Sequence, residues 1–372
     1  IYSRLSNPTV AALEEKLATL EGGRGGTATS SGHAAEILAL FPLMMPGMEV
    51  IVADKLYGGT INLMGKSFKK FGWEAIFADT ENPESFRRAV TEKTRAIFIE
   101  NLANPGGIVA DLEAIVKIAN EAEVPLIVDN TLATPFLSQP LEWGADLVIH
   151  STTKYLSGQG NAIGGVVIDS GKFPWLGNPK YPSLSAPSAE YNGLIFAETF
   201  GDLAYTMYSH AISLRDLGCT QSPMNAWITL NGVETLPLRM EKHCSNGIAV
   251  AGFLEKHQNV EWVSHAGLKS SPYYKLGKKY FPNGTGSLFA FGVKGGYESG
   301  LKLLESVELF SHVANLGDTR SLILHPASTT HRQLTEEQRI ASGAGPEVVR
   351  LSVGIECAED LISDLDQALN KL

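Results

Sequence analysis

Cysteine is almost missing from this chain: three in 372 residues, at 219, 244 and 357. An odd, scattered set gives neither a disulfide framework nor a metal-ligand spacing, so no metal is expected, and it suits a reducing cytoplasm. All three read as buried structural thiols. Positive charge is also short, with 30 Lys and Arg against 40 Asp and Glu and a net charge of −10. Without a basic stripe, nucleic acid is not an expected partner. No apolar run is long enough to cross a bilayer, so no membrane partner is expected. No Gly-x-Gly-x-x-Gly follows the early strands, which removes the main support for a nicotinamide oxidoreductase. A secretory signal pattern is lacking too, and the start at Ile1-Tyr-Ser-Arg reads as a form without its original amino terminus.

What is present describes an ordinary globular protein of enzyme size: 44% hydrophobic residues, 37 glycines and 19% charged residues. The length suggests about two domains. Asn7-Pro-Thr-Val opens a helix with Thr9 as its cap, and Gly22-Gly23 ends it. Short apolar strands then alternate with helices: 49–53, 75–78, 96–100, 125–129, 147–150 and 165–169. Such alternation predicts a mostly parallel, three-layer α/β sheet. Helical periodicity covers 191–217 and 223–257, the second interrupted by Gly232. Strands return at 287–293, 321–325 and 348–353, reading as a smaller α/β carboxyl-terminal domain. The expected division is an arm at 1–9, a large domain at 10–235 and a small domain at 236–372.

Two strands end in chemistry. Leu126-Ile-Val-Asp delivers Asp129, and Leu147-Val-Ile-His is followed by Ser151, Thr152, Thr153 and Lys154. Ligands of open α/β sheets sit beyond the carboxyl ends of the strands. An acid, hydroxyls and a lone amine converging there match what pyridoxal phosphate needs: an acid for its ring nitrogen, donors for its phosphate, and a Schiff-base lysine. Ser30-Ser31-Gly32-His33 opening a helix offers an anion site, to which Ser151 and Thr153 can add hydroxyls. Taken singly, each is as readily a cap, a turn or a solvated side chain. Tyr57, in a glycine-rich turn, could lie on the ring and assist proton movement, or simply pack. Arg350, inside a carboxyl-terminal strand, offers a fork for an α-carboxylate.

The ordered segments 2–9, 30–32, 57–60, 100–105, 128–135, 150–155, 321–331 and 349–356 resemble the Cys/Met-metabolism family of pyridoxal-phosphate enzymes, of fold type I, along the whole chain. The resemblance implies a seven-stranded-type large-domain sheet. It implies cofactor contacts from Ser31, Gly32, His33, Tyr57, Asn104, Asp129, Thr131, Ser151, Thr153 and Lys154, with Lys154, Tyr57 and Asp129 catalytic. Tyr2 and Arg4 match residues that reach the phosphate of a neighbouring subunit, implying a homodimer or homotetramer with shared sites. Ser321 and Arg350 match the grip on the substrate carboxylate. Segments 173–193 and 318–326 are most similar to O-acetylhomoserine sulfhydrylases, and Gly59 stands where methionine γ-lyases carry cysteine. Gln159 departs from a usual histidine. The activity implied is a γ-replacement making homocysteine in methionine biosynthesis. The alternatives are a cystathionine γ-synthase, a methionine γ-lyase-type elimination, or a silent binding protein on the same fold.

Overall fold

The computed structural model describes residues 2–104, 107–330, 332–333, 335–341 and 343–372. Pro105 and His331, which end two of the family-like segments, lie outside the described residues.

Seven strands form the large sheet: β1 (Gly25–Thr29), β2 (Glu49–Ala53), β3 (Glu74–Ala78), β4 (Thr94–Glu100), β5 (Leu126–Asp129), β6 (Leu147–His150) and β7 (Gly165–Asp169). Their order is β1-β7-β6-β5-β4-β2-β3. Strands β3, β2, β4, β5 and β6 run parallel, whereas β7 and β1 are antiparallel at one edge. Val50–Ala53, Ala96–Ile99, Leu126–Val128 and Leu147–Ile149 are buried throughout. Runs without polar alternation are what a parallel sheet covered on both faces requires. The expected mostly parallel α/β architecture is therefore present.

Strand β1 was not visible in the sequence because Gly-Gly-Thr-Ala-Thr carries little strand propensity. Its place is set by packing: a Cβ at Gly25 would lie 2.7 Å from Thr206 Oγ1. Helix α1 (Pro8–Glu21) begins one turn signal earlier than read. Asn7, not Thr9, is the cap, its Oδ1 accepting from Thr9 N at 3.0 Å, and Pro8 takes the first helical position. Gly22, at φ 72°, ends the helix as expected. Helix α2 (Gly32–Leu40) follows β1, then α3 (Pro83–Ala89) and α4 (Leu112–Glu121).

The expected helix at 191–217 is broken into short pieces, because Asn192 and Gly193 take positive φ and Gly201 interrupts again. The second long run is two helices, α5 (Pro223–Glu234) and α6 (Leu236–Leu254), parted at Thr235 with Pro237 in the first turn of α6. Gly232 is not the break. It lies inside α5, where a Cβ would come within 2.4 Å of the Leu156 and Ser157 carbonyl oxygens. The glycine lets α5 press on the chain just after Lys154.

A five-stranded sheet follows: β8 (Val260–Ser264), β9 (Leu288–Val293), β10 (Ser311–His312), β11 (Leu322–Leu324) and β12 (Val348–Ser352), in the order β8-β9-β12-β11-β10. Helices α7 (Gly296–Ser306) and α8 (Ala358–Leu369) cover it. Two apolar cores result, one under each sheet, and α6 serves both. Leu236, Met240 and Cys244 belong to the first, Val250, Ala251 and Leu254 to the second. Of the three cysteines only Cys244 is buried; Cys219 is half-buried, and Cys357 is exposed beside Glu359. The expectation of three buried thiols is corrected accordingly.

Candidate active site

The parallel strands end on one side of the large sheet, and their ends carry the polar groups. Glu100 closes β4 and Asp129 closes β5, paired with each other in register. His150 closes β6, and the chain turns at once through Ser151 to Lys154. Ser31, Gly32, His33, Tyr57, Asn104, Asp129, Thr131, Ser151, Thr153, Lys154 and Arg350 line one cavity of about 220 Å³. Residues up to 319 positions apart in sequence meet there, from Ser31 to Arg350. Apart from Tyr2, Arg4 and Ser321, the whole predicted set converges.

At one end stands the start of α2. Ser31 caps it, Oγ accepting from Ala34 N at 3.1 Å. The amides of Gly32 and His33 head the helix, where backbone N–H groups lack partners in the helix. A Cβ at Gly32 would lie 2.8 Å from the Ser151 Cβ, so only glycine lets the helix start meet the Ser151 turn this closely. Ser151 N donates to Thr131 Oγ1 at 2.8 Å, joining the turns after β5 and β6. Thr153 Oγ1 accepts from Gly164 N at 3.1 Å. Helix amides and two hydroxyl-bearing turns gathered on one point form a cradle for a phosphate.

Asp129 Oδ1 accepts from Thr131 N at 2.8 Å. Burial pushes its carboxyl up, against the opposing pull of the Thr131 bonds. An acid under this constraint gains by meeting a cationic ring nitrogen. Tyr57 is 50% exposed over the cavity, its ring 5.8 Å from that of His33 and tilted by 31°. At Gly59 a Cβ would fall 2.4 Å from the Tyr57 ring and 2.8 Å from His33 Nε2. A cysteine there would displace one ring or the other.

Lys154 Nζ donates to Asn315 Oδ1 at 2.6 Å. Burial, aided by the Arg350 charge, brings its pKa down to about 8. A lysine so placed is readily neutral, as carbonyl chemistry demands. Arg350 Nη2 donates to the Asn315 carbonyl at 3.1 Å and Nη1 to Asn104 Oδ1 at 3.4 Å. Cradle, acid, aromatic cover and amine thus fit pyridoxal phosphate by donor chemistry alone.

Ser321 is not part of this set. It is fully buried, its Oγ donating to Glu356 Oε2 and accepting from Gly354 N, each at 2.8 Å. That hydroxyl is consumed in holding the turn after β12, and Asn315 stands at the cavity instead. Tyr2 and Arg4 lie away from the cavity of their own chain. Tyr2 is 64% exposed, and Arg4 Nη1 donates to the Arg215 carbonyl at 2.6 Å. Sequence reasoning also passed over Glu36 and Glu100, both lining the cavity. The signal for Glu100 was available, since it ends an apolar strand just as Asp129 does.

The profile of the family described as Cys/Met metabolism PLP-dependent enzyme matches residues 1–370. The chain is 46% identical to the O-acetyl-L-homoserine sulfhydrylase of Leptospira meyeri, over all of this chain and 86% of that protein. It is 46% identical to O-acetyl-L-homoserine sulfhydrylase 1 of Thermus thermophilus, over 99% of this chain and 88% of that protein. Among solved structures, one from Campylobacter jejuni, provisionally described as an O-acetylhomoserine (thiol)-lyase, superposes with a TM-score of 0.96 at 42% identity. The match covers all of this chain and 88% of that one, which carries N'-pyridoxyl-lysine-5'-monophosphate.

Proposed function

Because this chain belongs to the Cys/Met metabolism family of PLP-dependent enzymes, we propose that it catalyses γ-replacement on O-acetyl-L-homoserine. The γ-carbon–oxygen bond breaks, a carbon–sulfur bond to sulfide forms, and the products are L-homocysteine and acetate. Bound pyridoxal phosphate supplies an electron sink for carbanions on the substrate. The chain's own residues do the rest. The head of α2 with Ser151 and Thr153 holds the phosphate, and Asp129 holds the ring nitrogen in its charged form. Tyr57 and Asn104, which line the same cavity, would cover and flank the cofactor. Arg350 grips the substrate carboxylate with its guanidinium fork. Lys154 Nζ anchors the cofactor and then takes the proton from the substrate α-carbon. Asn315 Oδ1, already 2.6 Å from that amine, steers it.

The reading rests chiefly on one observation: Lys154, Asp129, the head of α2 and Arg350 line a single cavity. We place Tyr2 and Arg4 at the phosphate of a second copy, so that a homodimer, paired into a tetramer, completes the sites. The exposure of Tyr2 and of Ile163, Met224 and Trp227 supports this, Asn225 on α5 donating to the Ile163 carbonyl at 2.9 Å. We place the domain boundary at Thr235 and the enzyme in the cytoplasm. Among the described residues no helix is long and apolar enough to cross a membrane.

Product analysis tests the reading. With O-acetylhomoserine and sulfide, the protein is expected to release homocysteine and acetate in equal amounts. Cystathionine formed preferentially from cysteine, or a keto acid released without any nucleophile, would move the assignment to one of the alternatives.

A further inference from the structure

Glu100 has no part in the scheme above, yet it is only 4% exposed and sits in the cavity wall. It ends β4 beside Asp129 at the end of β5, a register that sets two acids on neighbouring strands. Burial and the nearness of Asp129 push its carboxyl well up. A buried acid next to a second acid is costly, and its hydrogen bonds indicate what it does. Oε1 accepts from Tyr57 N at 2.7 Å, and Oε2 accepts from Asn104 N at 3.0 Å. Those amides belong to two different loops, one following β2 and the other following β4. The first carries the aromatic cover. The second carries Asn104, whose Oδ1 meets Arg350 Nη1.

We propose that Glu100 is a positioning residue whose two carboxyl oxygens clamp the Tyr57 loop to the Asn104 loop. It thereby fixes the tyrosine over the cofactor face and Arg350 at the substrate end. The role assigned to each loop rests on the proposed function. The clamp acts through backbone amides, so it depends on the reach of the carboxyl group and on both of its acceptors. Charge alone does not suffice.

Three variants separate these properties. Glu100→Asp keeps the carboxyl group but withdraws both oxygens by a methylene, Glu100→Gln keeps the reach but only one acceptor, and Glu100→Ala loses both. The readouts are the visible circular dichroism of the bound cofactor, the affinity of the apo-protein for pyridoxal phosphate, and KM against kcat for O-acetylhomoserine. Thermal unfolding of each variant is followed alongside. The clamp predicts that Asp behaves like Ala, with a collapsed dichroic band, roughly tenfold weaker cofactor affinity and a raised KM, and that Gln falls between. An aspartate variant with wild-type dichroism and KM would overturn the proposal, since the reach of the side chain would then not matter. A glutamine variant equal to wild type in every readout would overturn it too, as would variants that lose only melting temperature. Should alanine not fold, the Asp and Gln variants still decide. If the wild-type protein makes no product from O-acetylhomoserine, the proposed function falls, while dichroism and cofactor affinity still report on the clamp.

Discussion

Lys154 is buried beside a guanidinium, and both facts lower its pKa, to about 8. A lysine attacks a carbonyl only as the free amine. Cofactor uptake by the apo-protein is therefore expected to accelerate with pH and level off above about 8. Arg350→Gln removes a positive neighbour, so its midpoint moves to higher pH. Stopped-flow absorbance of the uptake checks both, and a wild-type midpoint near the ordinary 10.5 would contradict the burial argument. Lys154 and Asp129 were legible in the sequence because Asp129 ends an apolar strand and Lys154 lies in the polar turn just after another, and strand ends are where such sheets hold ligands. Asn315 and Ser321 were not separable that way. Both are polar residues in one segment, and only its path decides that Asn315 meets Lys154 while Ser321 turns to Glu356. Glu100 was overlooked although it stands like Asp129, because its partners are backbone amides that no motif displays.

At the scale of elements, the site depends on close approaches that only glycine permits. Gly32→Ala would drive a Cβ into Ser151 and part the head of α2 from the Ser151 turn. The expected outcome is at least tenfold weaker binding of pyridoxal phosphate, with the far-ultraviolet dichroism retained, because the cradle widens while the sheet persists. Titration of the apo-protein measures it, and wild-type affinity would show that the phosphate sits elsewhere. Central strands were readable to within about two residues since burial on both faces makes them continuously apolar. The edge strand β1 was not, for its glycines are chosen by what packs on them. The same holds for the helix break. Gly232 looked like the interruption, but a Pro two residues past Thr235 starts the new helix, and Gly232 serves a contact with Leu156 and Ser157. Behind the wall, Glu21 of α1 hydrogen-bonds both His150 at 2.6 Å and Asn130 at 2.7 Å. This ties the first helix to the ends of β5 and β6, a link of more than a hundred residues that no local pattern announces.

The whole molecule carries a cluster of buried acids beneath its cavity, and their titration should be visible in its stability. Burial, with the nearby Asp129 charge, raises Glu36 from 4.5 to about 8, against the single hydrogen bond from Thr60 that lowers it. The folded protein thus holds this proton more tightly than the unfolded chain. The resulting stabilisation is complete below pH 4.5 and disappears as pH rises through about 8. In the apo-protein, Glu36→Gln is expected to match wild type in acid and to melt a few degrees higher above pH 8. Calorimetry across that range checks the sign, and a variant less stable at high pH would refute it. The whole site turns on a single amine. Borohydride reduction of the purified holoenzyme, proteolysis and mass spectrometry would locate the pyridoxyl group directly. The group is expected on Lys154 alone, and a label on any other lysine, or none at all, would rule out that role.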